Sequence, residues 1–119
     1  MSRLTVYTLA NCDTCRCAVK LLRAHGLEFA ERPIRETPPT LAELRTMLAA
    51  YGGERRRLCN TAGRDYRELK LAQKLPAMTD NEALGLLAGN GNLVKRPFLI
   101  GANAALVGFD EKAWARALM

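Results

Sequence analysis

The sequence predicts an α/β fold, and three observations carry that expectation. A β-branched and aromatic segment near the N-terminus leads into an amphipathic helix and a second extended segment, the middle of the chain holds two helix-start signatures, and the C-terminal part reads as two short strands and a helix. The ends would supply a sheet and the middle a helical insertion. The expected division is a single domain over residues 1–119, with β-α-β over 1–36, the insertion over 37–92 and β-β-α over 93–119.

Each element has a local cause. Leu4-Thr5-Val6-Tyr7-Thr8-Leu9 is strand-like and stops at the polar cluster Asn11-Cys12-Asp13. From Cys15 onward Ala18, Leu21 and Leu22 recur at helical spacing with Arg16, Lys20 and Arg23 opposite, and His25-Gly26 ends the helix because glycine takes the left-handed C-terminal position. Leu27 to Ile34 alternates weakly and runs into Pro38-Pro39, which fits a second strand followed by an extended linker. Thr40-Leu41-Ala42-Glu43 is a capping box, after which Leu41, Leu44, Leu48 and Tyr51 share a helix face until Gly52-Gly53. Glu54 to Lys74 is basic and irregular, reads as surface-rich, and carries at most short helical turns such as Tyr66 to Leu71. A second capping box, Thr79-Asp80-Asn81-Glu82, opens a helix through Leu84, Leu86 and Leu87 that stops at Gly89-Asn90-Gly91-Asn92. Phe98-Leu99-Ile100 and Ala104-Ala105-Leu106-Val107 are strands joined at Gly101-Ala102-Asn103, and Asp110 caps a last helix burying Ala113, Trp114, Ala117 and Leu118.

Composition narrows the class. The 119 residues are 49% hydrophobic and 25% charged, which describes an ordinary globular chain rather than a fibrous or disordered one. No apolar run approaches the roughly 18 residues of a membrane span, and no signal-peptide core follows Met1-Ser2-Arg3, so no membrane association and a cytoplasmic location are expected. The net charge of +6 favours anionic partners without choosing among them. Arg55-Arg56-Arg57 reads as a solvated basic loop with no direct nucleic-acid contact, because no aromatic side chains interleave with it. A monomer is expected.

Chemistry concentrates in the cysteines. Cys12-Asp13-Thr14-Cys15 lies where a strand meets a helix, so Cys12 would face unpaired backbone N–H groups and the positive end of the helix dipole, both of which favour thiolate over thiol. Such a thiolate attacks soft electrophiles, and Cys15, one turn on, is placed to resolve the adduct. A zinc site would need two further ligands, and Cys17, Cys59 and His25 form no second Cys-x-x-Cys or His-x-His unit, so no metal is expected. His25 reads as a surface residue at a helix end. Cys17 reads as a small core residue. Cys59, just before Asn60-Thr61, is either a buried thiol or an alternative resolving one. Arg96-Pro97 precedes a strand, where an X-Pro bond of either isomer is allowed and the cis form would turn Arg96 toward another part of the fold.

Together these residues resemble the arsenate reductase-like branch of the thioredoxin superfamily, which also holds the Spx-type transcriptional regulators and small proteins proposed as glutathione-linked thiol reductases. The resemblance covers nearly the whole chain and rests on Asn11-Cys12-Asp13-Thr14-Cys15, Asn60-Thr61-Ala62-Gly63 with Tyr66-Arg67-Glu68-Leu69, Leu93-Val94-Lys95-Arg96-Pro97, and Val107-Gly108-Phe109-Asp110-Glu111. It implies a thioredoxin-like, four-stranded mixed sheet with the insertion between the second and third strands. It also implies Cys12 as nucleophile, a cis-Pro97, and Arg96 beside it binding an anion or thiolate; Asn11, Asn60, Arg64 and Pro97 would complete a substrate site. Glutaredoxin-coupled arsenate reductases of this fold carry one catalytic cysteine and three arginines, whereas Asn60 and Gly108 stand here at two of the arginine places and Cys15 is added. Arg64 is a partial substitute that no local pattern places. The function expected is therefore a thiol-disulfide oxidoreductase with no bound cofactor, glutathione or glutaredoxin being the electron source and partner. The alternatives are an Spx-like redox-sensing regulator that binds RNA polymerase, and a true arsenate reductase.

Overall fold

The computed structural model describes residues 4–101 and 103–118. Strand β1 (Leu4–Thr8) leads through Asn11, which turns the chain at a left-handed φ of 64°, into helix α1 (Asp13–Ala24). Gly26, at a φ of 66°, reverses the chain into β2 (Phe29–Pro33). The insertion carries α2 (Leu41–Ala50), a 3₁₀ turn at Arg55–Leu58, α3 (Arg64–Glu68), α4 (Leu71–Lys74) and α5 (Asp80–Gly89). Strands β3 (Phe98–Gly101) and β4 (Ala104–Val107) and helix α6 (Glu111–Leu118) follow. The link between β3 and β4 includes Ala102, which lies outside the described residues.

The sheet has the order β2-β1-β3-β4, with β1 parallel to β2 and antiparallel to β3, and β3 antiparallel to β4. This is the thioredoxin-like arrangement, with the insertion between the second and third strands. Alternation along the strands divides the core between the two faces of the sheet. Leu4 and Val6 of β1 and Leu99 of β3 pack with Ala18, Val19, Leu22 and Trp114 on the α1–α6 side, while Tyr7, Phe98 and Ile100 pack with Leu44, Met47, Leu84 and Leu87 of the insertion. Tyr7 ties the layers together, its buried hydroxyl donating to Glu43 Oε1 at 2.6 Å.

Both capping boxes form, the Thr40 and Thr79 hydroxyls accepting from the Glu43 and Glu82 amides while each glutamate reaches back to the cap N–H. Asp110 Oδ1 likewise accepts from the Lys112 and Ala113 amides. Two expectations are corrected, those for the buried faces of α2 and α6. The stripe of α2 is Leu44, Met47 and Leu48, with Leu41, a turn earlier, left 36% exposed. Burial in α6 is carried by Trp114, whose ring fills the helix–sheet contact and donates to Gly108 O at 2.9 Å, so Ala117 stays exposed. The segment Glu54 to Lys74 is mostly exposed, as its composition implies, with a few buried exceptions that distant contacts create. Lys95 N–H donates to Leu58 O and Asn60 N–H to Leu93 O, both at 2.8 Å, and this pairing draws Leu58, Cys59, Tyr66 and Leu71 into the core. Within the basic run Arg57 lies over the Tyr51 ring at 4.6 Å, while Arg56 and Arg57 stay exposed.

Candidate functional site

Cys12 is the N-cap of α1. Its extended backbone lets Sγ accept the Cys15 N–H at 3.3 Å, and Thr14 Oγ1 lies 3.2 Å away. Partial burial works against charge on this sulfur. The Cys15 thiol, the Thr14 hydroxyl, the Cys15 amide and the positive charge of Arg96 together outweigh burial and hold the Cys12 thiol below its ordinary value. Cys15 is the opposite case. Burial first, then its hydrogen bond to Cys12 and the nearby charge of that thiolate, push it up to about 12. One acidic sulfur at a helix N-terminus thus sits against one that keeps its proton.

The other cysteines are elsewhere. Cys17 is exposed on α1, a correction to its reading as core, because two residues beyond buried Cys15 carries a side chain to the helix's outer face. Cys59 is buried with the insertion core, donates to Arg55 O at 3.4 Å, and is pushed up to about 11 by burial. Those features fit a structural thiol and leave Cys15 as the neighbour of Cys12.

Arg96 links the cysteines to a second cluster. The bond to Pro97 is cis, and Pro97 itself is buried, its carbonyl accepting the Gly108 N–H at 2.9 Å. Arg96 Nη2 donates to Asn92 O at 3.0 Å and Gly91 O at 3.4 Å, while its Nε is buried with no hydrogen-bond partner among the described residues. Burial lowers its own pKa and the Cys12 and Cys15 thiols oppose that effect. A cavity of about 380 Å³ is lined by Arg35, Asn60, Gly63, Arg64, Asp65, Asn92 and Arg96. It brings together Asn60, Arg64 and Arg96, which the sequence singled out separately. Asn11 lies instead with Cys15 in a larger groove, about 1050 Å³, between β1, β2 and the basic side of α1. Pro97 lines neither.

Sequence reasoning missed Arg35, Asp65, Asn90 and Asn92. Asn92 is the hub of the cluster. Its Oδ1 accepts Arg35 Nε at 2.5 Å, its Nδ2 donates to Asp65 Oδ2 at 3.2 Å, and its carbonyl also receives Asn60 Nδ2 at 3.4 Å. Asn90 Nδ2 donates to the same Asp65 oxygen at 3.1 Å, and these amides hold the carboxyl below the usual carboxylate range. The available signal was Asn90-Gly91-Asn92 placed four residues before Arg96-Pro97, which local rules read as a helix stop. Among the described residues no group of three or more His, Cys, Asp or Glu side chains forms a metal site.

A thiol capping the first helix of a four-stranded thioredoxin-like sheet, with a half-buried guanidinium beside it, defines the general class. The particular family follows from the comparisons: the model of the ArsC family matches residues 7–117, and the chain belongs to that family. The Bacillus subtilis protein YusI is 43% identical over 108 residues, covering 91% of this chain and 92% of that one. Global transcriptional regulator Spx of Enterococcus faecalis is 30% identical over 91% of this chain and 80% of its own. An arsenate reductase of Rhizobium meliloti is 31% identical over 82% of this chain and 68% of its own. An ArsC family related protein from Bacteroides fragilis superposes with a TM-score of 0.88 at 37% identity, covering 97% of each chain. The relatives of this chain thus include proteins named as reductases and proteins named as regulators.

Proposed function

We propose that this protein is a thiol-disulfide oxidoreductase in which the Cys12 thiolate attacks a disulfide and Cys15 resolves the product. The observation that carries this reading is the Cys12 sulfur at the α1 N-cap, accepting the Cys15 N–H at 3.3 Å within the field of Arg96. The thiolate attacks one sulfur of R–S–S–R. The substrate S–S bond breaks as Cys12–S–S–R forms, and RS⁻ leaves to take a proton from water. Cys12 then carries no charge and accepts no hydrogen bond from the Cys15 thiol, so two of the causes that hold Cys15 up to about 12 disappear. Cys15 gives its proton to water and attacks the Cys12 sulfur, releasing the second RSH and leaving a Cys12–Cys15 disulfide. Two molecules of a thiol such as glutathione, themselves oxidised to a disulfide, or the dithiol of a glutaredoxin, restore the starting state. A reducing compartment such as the cytoplasm suits this cycle.

The test is a mass map of the intermediates after one equivalent of oxidised glutathione. The wild type is expected to yield the Cys12–Cys15 disulfide, and Cys15→Ala to accumulate glutathione on Cys12. A map with Cys12 unmodified in both proteins sinks the proposal.

A second reading, a redox-sensing regulator, is favoured by the likeness to Spx. In it, oxidation of the Cys12–Cys15 pair would alter a surface that binds RNA polymerase. Capture of the polymerase that differs between reducing and oxidising conditions supports it; capture in neither state removes it. Arsenate reduction is the less supported activity, because Asn60 and Gly108 replace two of the arginines that the resemblance would require. A direct turnover assay with glutathione and glutaredoxin separates it from general disulfide exchange.

A further inference from the structure

The cavity beside Arg96 has chemistry that disulfide exchange alone does not use. Three guanidinium groups line it, from Arg35, Arg64 and Arg96, against one carboxylate, that of Asp65. That carboxylate is already engaged, its Oδ2 receiving the Asn90 and Asn92 amides while Arg64 Nε lies 3.8 Å from Oδ1. Glu68, 3.9 Å from Arg64, does not line the cavity, and the Arg64 side chain remains 76% exposed at its rim. The wall therefore carries surplus positive charge. Arg96 contributes its guanidinium to this wall while its Nη2 is shared with the Gly91 and Asn92 carbonyls, and an anion that reaches the guanidinium gains charge-assisted hydrogen bonds. At about 380 Å³ the space suits a small organic group.

Its position gives this charge a use. Arg96 lines the cavity and lies two residues before Phe98, which pairs with Tyr7 of β1, so the antiparallel register carries it to the end of β1 from which the chain turns into Cys12. We infer that Arg35 and Arg64, with Arg96, form a subsite for a carboxylate on the disulfide substrate, and that the protein prefers low-molecular-mass disulfides bearing a carboxylate a few bonds from sulfur. The inference rests on the thiol-disulfide reading above. Arg35 is held for the role by Asn92 Oδ1, which accepts its Nε, and among the described residues its terminal nitrogens make no other hydrogen bond. In the attack on such a substrate the bonds made and broken are those already described, and the carboxylate does not take part in the electron movement. It fixes which disulfide reaches Cys12.

The test is the single-turnover rate of mixed-disulfide formation on Cys12 with three symmetrical probes: dithiodipropionate, which carries carboxylates; hydroxyethyl disulfide, which is neutral; and cystamine, which is cationic. The wild type is expected to react fastest with dithiodipropionate and slowest with cystamine, with the spread narrowing as salt rises. Arg35→Gln and Arg64→Gln should each lower the ratio of the dithiodipropionate rate to the hydroxyethyl disulfide rate, by about tenfold for Arg35 and less for the exposed Arg64. A merely structural role for Arg35 would slow all probes together and leave that ratio unchanged, and this result overturns the inference. So does a wild type indifferent to probe charge while still reacting with hydroxyethyl disulfide. Failure of all three probes to modify Cys12 refutes the underlying thiol-disulfide reading as well.

Discussion

Replacing Cys12 with serine is expected to slow disulfide exchange by on the order of a thousandfold or more, because the thiolate is the attacking species and no other sulfur takes its place. In this variant Cys15 loses the hydrogen bond and the charge of Cys12 that help to raise its thiol, but burial, the largest cause, remains and still disfavours its thiolate. Cys59, pushed up to about 11 by burial, lies in the insertion core. Cys17 is the remaining thiol and is exposed. The comparison therefore belongs in a Cys17→Ala background, with release of the reporter thiol followed by absorbance. A Cys12→Ser protein that retains the exchange rate in that background would mean that the α1 N-cap is not the reacting position.

Gly91→Ala should have the largest effect on stability. A methyl group there would come within 1.9 Å of Ile34 O and 2.7 Å of Ile34 C, and backbone atoms do not yield as a flexible side chain does. The loss expected is about 2–3 kcal/mol, read as a lower denaturant midpoint with an unchanged slope. The close approach also seats Arg35 against Asn92 and places the Gly91 carbonyl against Arg96 Nη2. Material that folds should then prefer carboxylate-bearing disulfides less strongly than the wild type. An unchanged midpoint would contradict the packing described at this glycine.

The legible parts of this chain were those with local causes. Capping boxes at Thr40 and Thr79, the Gly26 reversal and the β-branched and aromatic run of β1 are determined by neighbours within a turn or two, and each formed where expected. The placement of Cys12 at the start of α1, with Cys15 a turn on, was legible for the same reason, since a helix N-terminus acts on the residues that begin it. Leu58 and Cys59 were not, because hydrogen bonds to residues 93–95 bury a stretch whose composition is that of a surface. Arg35 and Asn92 were missed on similar grounds. They are 57 residues apart in sequence, and the contact joining them depends on a glycine whose importance appears only when two backbones meet. Arg64 could be singled out but not placed, and it too joined the site through distant packing.

The central claim is that Cys12 is an unusually acidic thiol, and the direct measurement is its rate of alkylation against pH, read by mass spectrometry at that residue in the Cys17→Ala background. Lowering by the hydrogen bonds to Sγ and by Arg96 means that the thiolate persists to lower pH, so the midpoint should fall below the ~8.5 of a free cysteine. Arg96→Gln, which removes one lowering charge, should move it upward. A wild-type midpoint at or above ~8.5 would contradict the account.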